Sequence, residues 1–497
     1  MTLRRLAGDT LIYGTGYILG KILSYLLITV YLTWKFDGEQ AQYGLYTDFY
    51  FYVALLLVLL TLRMETTYFR FASDKENREA TFSQASIMLL CTSLLWIVLV
   101  IAGQTQMANV LEYPGFEKHV VVLGIILALD VMVAVPFAAL RLEGRPMRYT
   151  ILRLLGIVIN IIAVVFFLEI LPALAQKGVG WATQWYDHDD RLFYVFLANL
   201  LGSFLVFCIF IPQYLRIRWT WNGMLVKKML KYALPLVVVG VAGVINQSSY
   251  ITFQKYILPD SLTENLSAGG IYAAATRLAI LMSLFTTAFN YAAEPFFFQH
   301  AKSEGARQIY ADVAKAFTIA GCILMAMILL YIDGIQLILG ESYRSGLSVV
   351  PVLLLGFLFL GLYYNVSVWY KVTDRTRYGA LISGSGAIIT IVLNIILIRE
   401  FDVVGSAWAA LACYTFMILA CYAIGRKYYP VPYELGKIAL PIVGVFLIYW
   451  INLQLRGVFG DALWKTMVMN TVLLIVYVAV LYKMEGKLIL SIIKRSG

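Results

Sequence analysis

Charge is what this sequence has least of. Asp, Glu, Lys and Arg make up 14% of its 497 residues, where an ordinary soluble chain is about a quarter charged. Hydrophobic residues reach 61% and the mean hydropathy is +0.79. So little polar material covers no surface in water, which excludes a string of soluble domains. Histidine is nearly missing. His119, His188 and His300 stand far apart, which argues against a His-based metal centre or catalytic triad. The five cysteines, Cys91, Cys208, Cys322, Cys413 and Cys421, each lie inside an apolar run and are spaced too widely to hold a metal. They read as inert buried thiols, not a disulfide framework. Low-complexity linkers are absent too. The longest connection outside the apolar runs, from about Glu169 to Leu192, is too short for a core of its own.

What is present is a series of apolar runs. A bilayer core of about 30 Å needs roughly 20 such residues per helix. Fourteen runs qualify, at 9–33, 43–62, 81–102, 119–140, 149–168, 193–212, 232–254, 268–292, 313–332, 347–370, 378–398, 403–425, 438–454 and 466–482. Arg4 and Arg5 imitate the start of a signal peptide, but Asp9, Lys21 and the length of the first run argue for a retained helix. Alternating loops divide the Lys and Arg residues 26 to nine. That bias predicts an all-α polytopic membrane protein of about fourteen transmembrane helices, with both termini cytoplasmic. The same rule accounts for the net charge of +10, so nucleic acid is not expected as a partner. The bilayer is.

A faint repeat divides the chain. Gly14, Gly44 and Tyr46 recur as Gly240, Gly270 and Tyr272, all at an offset of 226. The stretch 157–162 of the fifth span matches 391–396 of the eleventh, and Gly144-Arg145 with Arg148-Tyr149 matches Asp374-Arg375 with Arg377-Tyr378. Two six-helix halves of one orientation around a central cavity follow, at 1–231 and 232–430, with two appended helices and a tail at 431–497.

Four cations remain inside the spans: Lys21, Arg153, Arg277 and Lys315. A cation at mid-membrane costs at least about 2.5–3.5 kcal/mol, so it faces water or a partner. Arg153 and Lys315 lie near a cytoplasmic end and are expected to snorkel. Lys21 and Arg277 are too deep for that. They face either an aqueous cavity or Asp130. Arg63 and Arg70 close the second span, as an ordinary basic flank or as the entry for an anion. Cations on equivalent spans suit a diphosphate or carboxylate ligand. An acidic pair outside the membrane, Asp37 with Glu39, leaves a membrane glycosyltransferase as an alternative. A small-cation exporter needs a central acid, for which Asp48 and Asp130 are available.

The order of several motifs resembles the bacterial oligosaccharide flippases of the Wzx type. Their superfamily also contains lipid II flippases and multidrug and toxin extrusion transporters. The motifs are Gly270-Ile271-Tyr272, Ala288-Phe289-Asn290 through Glu294-Pro295-Phe296, Leu339-Gly340-Glu341-Ser342-Tyr343-Arg344, Gly361-Leu362-Tyr363-Tyr364-Asn365, Trp369-Tyr370-Lys371, Thr373-Asp374-Arg375-Thr376 and Gly405-Ser406-Ala407-Trp408-Ala409. Met64-Glu65-Thr66 and Arg141-Leu142-Glu143-Gly144-Arg145 add the N-terminal half. The resemblance implies alternating-access transport of a polyprenyl-diphosphate-linked oligosaccharide to the external leaflet of a bacterial inner membrane, for surface polysaccharide such as lipopolysaccharide. It implies that Lys21 and Arg277 hold the diphosphate, that Arg63 and Arg70 admit the head group, and that Asn246, Gln247 and Asn290 touch sugar. A lipid II flippase or a multidrug exporter is the alternative. The single internal cation of the first span departs from the lipid II branch. No cofactor or metal is expected. Coupling to a proton or sodium ion stays open, and a glycan polymerase or other assembly protein is a further expected partner.

Overall fold

Lipid offers backbone N–H and C=O groups no hydrogen bonds, and a helix satisfies them segment by segment. The computed structural model describes residues 19–72, 77–215, 217, 219–300, 305–373, 375–459 and 463–496. These are helical almost throughout, without a β-strand. Twelve helices among them are long and apolar enough to cross a membrane. The first expected span begins outside the described residues, so the expected count of fourteen extends beyond them. Its described part, 19–35, is helical and includes a π-helical stretch, Leu26–Tyr31. Gly14 and Gly16 lie outside as well.

After this helix (α1, 19–35) come α2 (Gln40–Thr61), α3 (Met64–Phe71), α4 (Arg78–Val110), α5 (Glu117–Leu142), α6 (Pro146–Val165), α7 (Arg191–Tyr214) and α8 (Gly223–Ser248). The chain continues through α9 (Tyr250–Ile257), α10 (Leu262–His300), α11 (Ala306–Leu330), α12 (Val350–Val366), α13 (Arg377–Tyr428), α14 (Leu435–Phe459) and α15 (Leu463–Ser496). The 52 residues of α13 take in two expected spans, 378–398 and 403–425. They meet at a break where Asp402 has φ +50° and ψ −142°. Gly405 follows closely, because a Cβ there would lie 2.1 Å from the carbonyl oxygen of Leu397. The helix thus doubles back on itself, and its two ends return to one face.

The residues form two compact units, one of 1–28 with 46–244 and one of 29–45 with 245–497. In the first, α5 is the hub. Leu127, Val131 and Val135 pack with Met88 and Leu89 of α4 and Met229 of α8. Its other side, through Val133 and Phe137, meets Leu152 of α6 and Phe210 of α7. Because lipid tails are as apolar as leucine, close packing and hydrogen bonds hold such helices together. Trp96 Nε1 donates to the Gly124 carbonyl at 3.1 Å, and Ser93 to that of Ala128 at 3.2 Å.

In the second unit Lys315 departs from expectation. It does not snorkel. Its side chain is 8% exposed and its Nζ lies 2.6 Å from Glu434, ahead of α14, and 3.4 Å from Glu485 of α15. Lys437 meets the same two carboxylates at 2.8 and 3.5 Å. A buried cation with acids in reach gains more from ion pairs than from stretching towards water. The cluster ties α14 and α15 to α11. Without Lys315 the mostly buried Glu485 keeps only Lys437, at 3.5 Å, so Lys315→Ala should lower stability by about 2 kcal/mol in thermal or denaturant unfolding in detergent, the loss of a charged hydrogen bond. Lys315 and Lys437 also hold the Glu434 carboxyl down at about 2, from an ordinary value near 4.5. A depressed carboxyl stabilises above its unfolded value and loses that effect as it protonates. Hydrogen-exchange protection of α14 should therefore be constant from neutral pH to about 4.5 and decline towards about 2.

Candidate functional site

Where α2 and α10 cross, two glycines remove every side chain between their backbones. A Cβ on Gly44 would lie 1.9 Å from the Leu266 carbonyl oxygen, and one on Gly270 2.3 Å from that of Gln40. The contact is reciprocal. Each glycine meets the carbonyl four residues before the other, at the offset of 226 that relates the repeats. The ends around this crossing are fastened as well. Asp37 accepts the backbone N–H groups of Glu341 and Ser342 at 3.0 and 2.9 Å, and the Ser342 hydroxyl. Trp34 donates to the Ile338 carbonyl at 3.1 Å, and Tyr343 to that of Phe36 at 3.0 Å. With three donors the Asp37 carboxyl is occupied, which leaves it unlike the free acid a glycosyl-transfer mechanism requires. The Ser342 hydroxyl and these amides hold it below its usual value near 3.8, so the fastening persists across the neutral range and loosens only below it.

Two turns deeper on the same helices sits Arg277. It is the sixteenth of the 29 residues in the membrane-length stretch Leu262–Asn290 and is half-buried. Its guanidinium lies beside the hydroxyls of Tyr43 and Tyr250. Each tyrosine has an aromatic support, Tyr43 against Tyr343 at 5.5 Å and Tyr250 against Tyr272 at 4.7 Å between ring centroids. Phenol hydroxyls help to orient a guanidinium, whose fork of N–H donors matches an anion with several oxygens.

Arg63 stands at a helix break in the first unit. Between α2 and α3, Leu62 and Arg63 both take left-handed conformations, with φ of +47° and +52°. Non-glycine residues rarely do so, and strain of this kind gathers at functional positions. Gly240 of α8 lets the guanidinium lie against that helix, because a Cβ there would be 3.1 Å from Nε. Glu65 is 3.9 Å away. Arg70, exposed, stacks over Tyr232 at 4.2 Å. Lys21 is exposed on α1.

The three neutral candidates are placed differently from one another. Asn246 is buried, accepts from Thr390 at 2.9 Å, and has its backbone carbonyl bonded by Tyr414 at 3.1 Å. It borders a mostly apolar cavity of about 20 Å³, lined also by Gln247, Asn394 and Ser406, with room for about one water molecule. Gln247 is exposed and Asn290 half-buried on α10. The acids that a cation exporter would use are bonded within the protein. Asp48 accepts from Tyr113 at 2.6 Å and Asp130 from Ser203 at 2.9 Å. The tyrosines beside Arg277 were not legible beforehand, since nothing in an apolar run marks which of 34 tyrosines meets a given cation.

A family model described as "Polysaccharide biosynthesis protein" matches residues 40–347. The chain belongs to this family. Among solved structures, the lipid II flippase MurJ in an inward closed conformation matches with a TM-score of 0.71 at 14% identity, over 95% of this chain and 99% of that one. An inward-facing multidrug resistance MATE family transporter of the MOP superfamily gives 0.61 at 14%, over 82% and 93%. An outward-facing one gives 0.58 at 13%, over 84% and 95%. No curated protein matches. At these identities the likeness is one of fold. Family and fold together describe a helical, multi-pass membrane protein of the polysaccharide biosynthesis family, built on the fold that MurJ and the MATE transporters share.

Solved structures of this fold are named inward-facing and outward-facing, and a chain that passes between two such states has to release fastenings of the kind Asp37 makes. A cysteine pair, Asp37→Cys with Ser342→Cys, should abolish transport under oxidising conditions and recover it on reduction. Transport by the oxidised pair at the wild-type rate, with the disulfide confirmed by mass spectrometry, would show that this contact never opens.

Proposed function

We propose that this protein moves a polyprenyl-diphosphate-linked oligosaccharide from the cytoplasmic to the external leaflet of the bacterial inner membrane, with both termini in the cytoplasm. The observation that carries the reading is Arg277. A guanidinium at mid-helix beside tyrosine hydroxyls is costly in lipid, and its fork of donors suits an anion with several oxygens, such as a diphosphate. The family's tie to polysaccharide biosynthesis supplies the glycan. Lys21 has the corresponding role in the first unit. Arg63, strained at its helix break, and Arg70, stacked on Tyr232, present charge where the basic loops lie and admit the head group. Asn290 and Gln247 remain the sugar contacts of this reading, with Asn246 behind them.

Lipid II is the second substrate considered, favoured by the match with MurJ over nearly the whole of both chains. It carries the same diphosphate, so the anion site serves either lipid and the glycan distinguishes them.

Reconstitution in liposomes that carry a labelled polyprenyl-diphosphate oligosaccharide tests the proposal. The measured quantity is the label that becomes accessible across the bilayer. Wild-type protein should move it, and Arg277→Ala should slow it at least about tenfold, as expected on losing a charge-assisted contact. Lys21→Ala should act in the same direction. Full activity of the double variant overturns the anion assignment. Movement of lipid II alone replaces the glycan, and movement of neither lipid by folded protein overturns the function.

A further inference from the structure

Beyond the deep cations, a second charged cluster lies in the second unit, on the face that the basic loops assign to the cytoplasm. Because α13 doubles back at Asp402, residues 50 positions apart come together at its two ends. The Tyr378 hydroxyl donates to that of Tyr428 at 2.8 Å, and their rings lie 5.3 Å apart. Three cations converge on this pair. Arg375 stacks over Tyr428 at 4.1 Å, Lys427 lies 5.9 Å from the same ring, and Arg377 lies 5.2 Å over Tyr378. The platform is anchored from beneath. Trp369, 2% exposed, stacks on Tyr428 at 6.0 Å and 16° and donates its indole N–H to the Cys421 carbonyl at 3.2 Å.

Loop cations that serve only topology point apart into water, where mutual repulsion is least. Here two of them share one ring, which puts their charges within about 10 Å, close to the screening length of physiological salt. Among the described residues none of the three makes an ion pair with a carboxylate. Arg375 is half-buried, while Arg377 and Lys427 are exposed, so the cluster is fixed by its aromatic platform and open to a ligand. Like charges gathered without an acid are stabilised by a multivalent anion, and guanidinium groups match the oxygens of phosphate in particular.

We propose that Arg375, Arg377 and Lys427 form a phosphate-binding site around the Tyr378–Tyr428 pair, which takes either the phosphate of an anionic lipid headgroup or a free phosphate compound. The site is separate from Arg277 and does not depend on which lipid is transported.

Native mass spectrometry of the full chain in detergent tests this. Phosphatidylglycerol and phosphatidylcholine are supplied at equal concentration and the retained lipid is counted. Wild-type protein should prefer phosphatidylglycerol by at least about fivefold, the effect of one interfacial cation on an anionic lipid. Arg377→Gln with Lys427→Gln, both exposed and so compatible with folding, should remove that preference. Lys227→Gln with Lys228→Gln, which takes the same charge from the first unit, should leave it unchanged. If inorganic pyrophosphate strips the bound lipid from wild-type protein, the site reads a free phosphate; if the lipid stays, it reads a headgroup. Either result supports the site. No preference in wild-type protein, preference kept by the first variant, or equal loss in both variants overturns it.

Discussion

The backbone contact at Gly44 and Gly270 is the point on which the candidate site depends. In lipid, two apolar helices gain little from touching unless their atoms fit closely. The absence of two side chains lets the carbonyls of Leu266 and Gln40 fill the space instead. That proximity sets Tyr43 of α2 beside Arg277 of α10, and brings Asp37 to the amides of Glu341 and Ser342. The contact is self-complementary in the way of a two-fold interface, where each partner offers the other the same surface.

Cations in this protein are held in two ways, and the difference carries functional meaning. Lys315 and Lys437 are neutralised by Glu434 and Glu485, and serve to fix α14 and α15. Arg277, Arg70 and Arg375 rest against tyrosine rings or hydroxyls. An aromatic partner positions a guanidinium through its face without cancelling the charge. The first group holds helices together. Of the second, Arg375 makes no ion pair with a carboxylate among the described residues and keeps its attraction for anions.

In a medium without water, polar side chains within the bundles gain from a protein partner, as Asn246 does from Thr390, Ser93 from Ala128 and Gln254 from Ser406. Isolated from its surroundings, an asparagine in an apolar run reads equally well as a ligand contact or as such a partner. Depth and neighbours separate the two: Asn246 is buried against α13, while Gln247, the next residue, is exposed.

Much of the architecture was legible before any contact was known. Hydropathy and the placement of Lys and Arg are properties of single segments and of their sum, so the all-helical membrane class and the succession of spans follow from them. The offset of 226 likewise singled out Gly44 and Gly270, whose helices the structure brings into backbone contact. Partners were another matter. That Lys315 has acids within reach, that Asp37 is consumed by amides some 300 residues away, and that Arg375 and Lys427 share a ring depend on where helices cross and where α13 turns at Asp402. A run of apolar residues specifies that a helix enters lipid. It does not specify which of its faces meets which neighbour, because lipid and protein interiors are almost equally apolar and only close packing and hydrogen bonding in the assembled bundle tell them apart.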